Sequence, residues 1–238
     1  MTDTATDAVL DNPVWAALTG PHRGFAETHG LAARYQPDVA PFTCVRGGDD
    51  PGVWHDLAAL VGPGVTVAVT GTAAPLPTGW TVEGEVAGVQ LVDVGVGAAS
   101  DPEAVRLTGA DVPEMLSLVA RTRPGPFLPR TVELGTYLGI RRRGELVAMA
   151  GERLHPPGWT EISAVCTAPE ARGQGLATRL VRAVAAGIRA RGERPFLHAA
   201  ASNVTAIRLY ESIGFTLRRH TLFRAVRTPA FAKPEQSA

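Results

Sequence analysis

The stretch Pro169-Glu-Ala-Arg-Gly-Gln-Gly-Leu-Ala177 joins a guanidinium to two glycines at the start of an apolar-periodic segment. The chemistry this suits is the holding of a phosphate. It follows a β-like run, Ile162 to Thr167, and leads into a helical pattern over Leu176 to Arg191. A turn from strand to helix aims several backbone N–H groups, and the positive end of the helix dipole, at one point. Gly173 and Gly175 remove side chains that would hold an anion off the backbone, and Arg172 adds a charge-assisted donor. Gln174, Leu176 and Ala177 complete the turn. Two other phosphate loops are excluded. A P-loop opens its helix with Gly-Lys-Ser/Thr, and the only lysine of this chain is Lys233. A dinucleotide fingerprint counted from Gly173 needs a third glycine where Thr178 stands.

A second motif follows downstream, Asn203-Val-Thr-Ala-Ile-Arg-Leu-Tyr210-Glu-Ser-Ile-Gly-Phe215. Together with Arg172-x-x-Gly175-x-Ala177, it resembles the ordered pair of signatures of the GNAT superfamily of acyl-CoA-dependent N-acyltransferases. The resemblance covers roughly residues 104 to 227. It implies acetyl-CoA (or another acyl-CoA) as co-substrate, with no metal and with direct transfer of the acyl group. Pyrophosphate would lie on the backbone of Arg172 to Ala177. Pantetheine would lie like an added strand against Val165-Cys166-Thr167, on the N–H groups of Val165 and Thr167, and one N–H near Val165 would polarise the thioester carbonyl. Asn203 would bond the pantetheine or cap its helix. Tyr210 corresponds to the tyrosine whose hydroxyl meets the CoA sulfur and protonates the departing thiolate. An unperturbed pKa near 10 suits that acid, although a tyrosine on an amphipathic helix is more often core. A covalent acyl-enzyme on Cys166 is disfavoured by the same resemblance.

N-acylation also needs a neutral amine. Glu161, four residues before Val165, is the candidate base, because some relatives carry a catalytic Glu at the start of this strand. Desolvation beside Trp159 would raise its pKa towards a useful range. The competing reading is a solvated carboxylate at a strand end. Glu133 and His198 are the reserves, the first near where acceptors enter in the family and the second on the strand that splays to admit acyl-CoA. An isolated strand histidine is more often structural. Arg121, Arg123 and Arg130 frame a Pro-rich loop on the acceptor side and suggest a carboxylate-bearing acceptor, with simple solvation as the alternative. The leading function is an N-acetyltransferase acting on a primary amine of a small molecule, amino acid or peptide. The alternative is a non-catalytic acyl-CoA-binding sensor or accessory module.

The elements that must position these residues can be read along the chain. Val14 to Leu18 and Phe25 to Ala33 are expected as short helices and His55 to Val61 as another, with residues 1–12 loose. Val65 to Thr70 and Thr81 to Val94 read as strands. Gly95 to Pro102 is the best boundary. The later half reads β-α-(loop)-β-β-β-α-β-α-β, with Asp111 capping a helix from Val112 to Arg121 and a hairpin about Arg143-Gly144. The fold class is therefore α/β with a mixed sheet, GNAT-like. The division is an N-terminal accessory or degenerate domain over 1–100, a catalytic domain over 101–228 and a tail over 229–238. Val67-Ala-Val-Thr-Gly71 with Trp80 echoes Val147-Ala-Met-Ala-Gly151 with Trp159, which raises a duplication against chance similarity.

Composition narrows the class. A 238-residue chain with 45% hydrophobic residues can bury a full core. Its zero net charge divides unevenly: residues 1–100 hold three arginines (Arg23, Arg34, Arg46) against eleven carboxylates, and the remainder balances them at +8. A basic half suits a polyanionic coenzyme, and opposite halves favour docking. No basic cluster interleaved with aromatics suggests nucleic acid. Two cysteines, Cys44 and Cys166, imply neither a disulfide framework nor a metal site. With no membrane-length apolar run and no export-like leader, a soluble cytoplasmic protein is expected, with a homodimer left open.

Overall fold

The computed structural model of the chain describes residues 7–47, 50–72 and 74–230. Parts of the expected loose N-terminus (1–6) and tail (231–238, with Lys233) lie outside them. The described residues form one mixed sheet of eleven strands. In chain order these are β1 Ala26–His29, β2 Ala32–Tyr35, β3 Phe42–Val45, β4 Thr66–Thr70, β5 Thr81–Asp93, β6 Val105–Leu107, β7 Tyr137–Arg142, β8 Glu145–Glu152, β9 Trp159–Thr167, β10 Arg194–Ala200 and β11 Phe215–Arg227. Their spatial order is β1-β2-β3-β4-β11-β5-β10-β9-β8-β7-β6. β5 pairs antiparallel with both β10 and β11, so strands from the two halves of the chain share one hydrogen-bonded surface.

Against this sheet the described residues place the helices α1 Pro13–Leu18, α2 Gly52–Val61, α3 Val112–Thr122, α4 Leu176–Ala190 and α5 Val204–Ser212. The period-2 alternation of the central strands divides their side chains between two cores. Leu91, Ile162 and Leu197 face α4, packing with Leu180, Val184 and Ile188. Trp159 and Phe196 face the other way, into a core with Leu10, Val14, Leu18 and Tyr35. A third core seats Trp54 and Leu57 of α2 against Val45, Val69 and Val226. Among the described residues no helix is long and apolar enough to cross a membrane.

Most expected elements stand within a residue or two of their expected bounds. Two expectations near the N-terminus fail. Residues 26–35 form the β1–β2 hairpin rather than a helix, turning at Gly30 with φ +51°. Asp56 of α2 fixes that turn by accepting the Leu31 N–H at 2.7 Å, and β2 then pairs with β3. Sheet pairing here overrides the helix propensity of Ala, Glu and Leu. Residues 9–11 are a 3-10 turn rather than loose chain, with Leu10 fully buried. Asp111 also acts differently from expected: its carboxylate closes a capping box with Thr108 on the turn before α3, and it pairs with Arg141.

The charge division resolves into ion pairs between acidic N-terminal and basic C-terminal residues. Asp7 meets Arg194, Asp11 meets Arg218 and Arg219, Asp38 meets Arg130, Glu85 meets Arg224 and Asp93 meets Arg189. Apart from the pair of Asp93, which is buried, these are exposed pairs that contribute at most about 1 kcal/mol each. Their consequence is alignment more than stability.

Candidate active site

The sheet opens at one point. β9 and β10 run parallel and paired from Trp159/Arg194 to Ile162/Leu197, and there the pairing stops. β10 continues along β5 through His198, Ala199 and Ala200, whereas β9 follows β8. The cleft between them has Ser163 and His198 at its apex. Just beyond, the β8–β9 ladder steps from Gly151↔Ser163 to Met149↔Cys166 and skips Ala164 and Val165. This is a bulge, and Ala164 sits at φ +53°, a conformation that costs a non-glycine residue about 1–2 kcal/mol. Val165, Cys166 and Thr167 then run out along the cleft.

The glycine-rich turn lies where β9 ends. Gly173 (φ +77°) and Gly175 (φ +71°) both adopt the left-handed conformation, and a Cβ at either would meet no atom within 4 Å. Backbone geometry therefore requires these glycines, and the space above them is open. Among the described residues no side chain caps the N-terminus of α4, so its first N–H groups, from Leu176 and Ala177 onward, have no side-chain acceptor there. Arg172 and Gln174 are exposed beside them. The turn has the open donors and positive dipole end that a pyrophosphate fits.

Tyr210 lies near the end of α5, buried with its ring edge-on to Phe215. Burial first, and then the nearby Cys166, push its hydroxyl up to about 12, so it stays protonated across the physiological range. No protein group among the described residues hydrogen-bonds that hydroxyl. Asn203 caps α5 by accepting the Ala206 N–H at 3.2 Å. The Cys166 thiol is pushed up to about 11 by burial, against bonds from Thr122 and Met149, and a thiol so protonated is a poor nucleophile.

Glu161 is not a solvated carboxylate. It is fully buried at 0% exposure, and its oxygens accept bidentate bonds from Arg153 (2.8 and 2.7 Å). One of them also accepts from His198 Nδ1 at 2.7 Å. Burial pushes the carboxyl up, but the Arg153 charge, its hydrogen bonds and those of His198 outweigh it and hold Glu161 down to about 2. The expected upward shift is thus reversed, because Trp159 is not the neighbour that decides it. Arg153 stands opposite Glu161 across the β8–β9 ladder, donating its own N–H to the Glu161 carbonyl at 3.0 Å.

The histidine's tautomer follows from its neighbours. Gln90 donates through Nε2 to the Leu10 carbonyl (2.9 Å) and accepts from Arg218 through Oε1 (2.9 Å), which fixes its amide orientation. Gln90 Nε2 therefore also donates to His198 Nε2, at 3.1 Å. His198 carries its proton on Nδ1, facing Glu161; its Nε2 lone pair accepts from Gln90, and the residue lines a cavity on the N-terminal side of the sheet. That cavity has a volume of about 810 Å³, and its wall includes Gln90, Arg153, His198 and Phe223.

Other expected residues lie elsewhere. Arg130 and Glu133 are bound to each other by two 2.8 Å bonds, and Arg130 also reaches Gln36 and Asp38. The Arg130 hydrogen bonds hold Glu133 below the usual carboxylate range. Arg121 donates through Nη2 to both carboxylate oxygens of Glu170. Neither Glu133 nor these arginines line the His198 cavity. Arg153 and Gln90 are functional candidates that sequence reasoning missed. The signal for Arg153 was present, since a hairpin about Pro156-Pro157-Gly158 sets 153 opposite 161. Among the described residues no group of three or more His, Cys, Asp or Glu could hold a metal ion.

Residues 137–224 match the family described as FR47-like protein. A solved structure of a GNAT-family protein from Novosphingobium aromaticivorans is similar over 93% of this chain and 98% of its own, with 41% identity and a TM-score of 0.81. A GCN5-related N-acetyltransferase from Kribbella flavida matches over 90% and 93% of the two chains at 17% identity and a TM-score of 0.60. A GNAT-family acetyltransferase from Colwellia psychrerythraea matches over 95% and 97% at 14% identity and a TM-score of 0.52. The last two speak for the fold alone. No curated protein matches the sequence.

Proposed function

Since the chain belongs to the GNAT family, we propose that it moves an acetyl group from acetyl-CoA directly to a primary amine, with residues 101–228 as the catalytic part and 1–100 forming the acceptor side. The observation that carries this reading is the cleft, where a strand pair parts at Ile162/Leu197 directly beside the bulge at Ala164–Val165. A bulge turns backbone N–H groups out of the ladder, and a thioester carbonyl lying in the cleft would accept one. The open turn over Arg172 to Ala177 would receive the pyrophosphate, and Val165 to Thr167 would line the pantetheine.

In this reading the base is His198, with Glu161 as its positioning residue. The ionised carboxylate holds the Nδ1–H and stabilises the imidazolium that forms, as a carboxylate does for any histidine base. The amine displaces the Gln90 N–H from His198 Nε2, and its nitrogen forms a bond to the thioester carbon as its proton passes to that Nε2. The C–S bond then breaks, and the thiolate takes the proton of the Tyr210 hydroxyl. Tyr210 is reprotonated and His198 deprotonated from solvent, which closes the proton balance.

The test is free-thiol release from acetyl-CoA by the purified protein against a panel of amines, amino acids and peptides, with Tyr210→Phe alongside. Release with one acceptor class, reduced about 100-fold or more in kcat by the substitution, is expected of a general acid. Tight coenzyme A binding without release from any acceptor would overturn the catalytic reading in favour of a sensor.

A further inference from the structure

Gly88 stands in the interior of β5, paired with Ala200 of β10 on one side and Thr221 of β11 on the other. Glycine weakens a strand interior and often marks a place where another group approaches the backbone closely. Here that group is Phe223. A Cβ at position 88 would collide with Phe223 Cε2, and would lie 3.1 Å from its Cδ2 and 3.0 Å from Thr221 Cγ2. The Phe223 ring therefore lies down across β5 instead of standing away from the sheet. It meets the His198 ring in a T-shaped contact, with centroids 5.8 Å apart at 77°. Both residues contribute to the wall of the 810 Å³ cavity, and Phe223 is only partly buried.

Beside the histidine, the polar side chains of this wall are already engaged within the protein. Gln90 uses Oε1 for Arg218 and Nε2 for the Leu10 carbonyl and His198. Arg153 directs Nε and Nη2 at Glu161 and lays its guanidinium over the Phe42 ring, 4.8 Å from the centroid. Phe42, Leu154 and Val14 continue the apolar part of the wall. A polar body seated there would give up water without finding free partners, whereas a flat apolar body would bury area against an aromatic ring. The cavity has room for such a body beside the amine.

We propose that Phe223 is a specificity-determining residue of the acceptor cavity, and that the site selects a primary amine carried close to a flat apolar body. The body lies against the Phe223 ring while the amine meets His198. Gly88 permits this arrangement, because any side chain at 88 lifts the ring off β5 and into the space the body would fill. The proposal rests on the acetyl-transfer reading for its amine end, and its apolar end stands on the packing of Phe223 over Gly88.

The experiment compares 2-phenylethylamine with 2-(2-aminoethoxy)ethanol, a primary amine of similar length on a polar body. Thiol release from acetyl-CoA is measured with the full chain and with Phe223→Ala, Gly88→Ala and the double variant. The wild-type protein is expected to favour 2-phenylethylamine in kcat/KM by about tenfold or more. Phe223→Ala should bring that ratio to within about threefold, and Gly88→Ala should also lower it. The two losses should not add, because the double variant lacks the ring that a side chain at 88 displaces. Phe223→Leu keeps apolar bulk without the ring; it should lower the ratio too, and it serves where the alanine variant fails to fold. Equal kcat/KM for the two amines in the wild type, equal losses for both in Phe223→Ala, or additive losses in the double variant would overturn the inference. Calorimetry with the same amines in the presence of coenzyme A separates it from the acetyl-transfer reading. Selective binding of 2-phenylethylamine that is lost in Phe223→Ala, with no turnover, would sustain the cavity inference and remove the catalytic one. Turnover without preference would remove the cavity inference and keep acetyl transfer; neither selective binding nor turnover would remove the cavity inference.

Discussion

Replacement of Glu161 by Gln tests the electrostatic centre of the site through stability as well as activity. The folded-state carboxyl titrates near 2 against an ordinary value of 4.5. A pKa lowered on folding gives stabilisation that is complete above the unfolded value and is lost as pH falls through the folded one. Linkage between those two values removes about 2 kcal/mol from wild-type stability between pH 7 and pH 3, and about 3 kcal/mol by pH 2. Solvent screening takes little from this figure, because Glu161 is fully buried and the Arg153 side chain is only 12% exposed. Other carboxylates also titrate in this range, so the diagnostic quantity is a difference of differences. Urea unfolding at pH 7 and pH 3 should show wild type losing about 2 kcal/mol more than Glu161→Gln over that interval. At pH 7 the variant should be about 3–5 kcal/mol less stable, since Arg153 is left buried with its charge unmatched. The double variant Arg153→Met/Glu161→Leu removes both charges and should show the same flattened pH response at a smaller cost in stability. Parallel pH profiles for wild type and both variants would refute the reasoning and show that Glu161 does not titrate as a buried ion-pair carboxylate.

Three further outcomes follow from the same geometry. His198→Gln should lower kcat by about 10²–10⁴-fold with the acetyl-CoA KM little changed, as measured by thiol release, because it removes a proton acceptor and leaves the phosphate turn intact. Gly175→Val forces a β-branched residue to φ +71° at the start of α4; the acetyl-CoA KM should rise about tenfold or more as the turn's N–H groups shift, with thermal stability reporting the strain separately. Cys166→Ala should retain kcat within about twofold, and the wild-type thiol should resist alkylation near neutral pH, because burial pushes it up to about 11.

What could be read from the sequence was whatever the chain does locally. The turn before α4 needs two glycines at positive φ and a helix start, and all three requirements fall within Arg172 to Ala177, so composition and order declare them. Tyr210 and Asn203 share one short helix with a fixed spacing. The helices of the later half and the strands β5 to β11 follow the same logic, each from its own periodicity. The β1–β2 hairpin was hidden because its residues prefer a helix in isolation, and only Asp56 on α2 and the partner strand β3 reverse that preference.

The site's electrostatics belong to the sheet rather than to any segment of it. Glu161 meets His198 across 37 residues, and His198 meets Gln90 across 108. Those contacts exist because β5, β10 and β9 lie side by side and turn the same alternate residues to the N-terminal face. Reading Glu161 beside its sequence neighbour Trp159 gave a desolvated, basic carboxylate; reading it opposite Arg153 in the ladder gives an ionised one. The sign of the pKa shift is thus set by register, and with it the division of labour. An ionised carboxylate held near 2 cannot accept the amine proton at neutral pH, but it is the partner an imidazole needs to carry that proton. The N-terminal half is drawn into the chemistry by the same route. Gln90 on β5 orients the His198 ring while anchoring Leu10 and Arg218, so a group that lines the His198 cavity also decides which nitrogen of the histidine carries the proton.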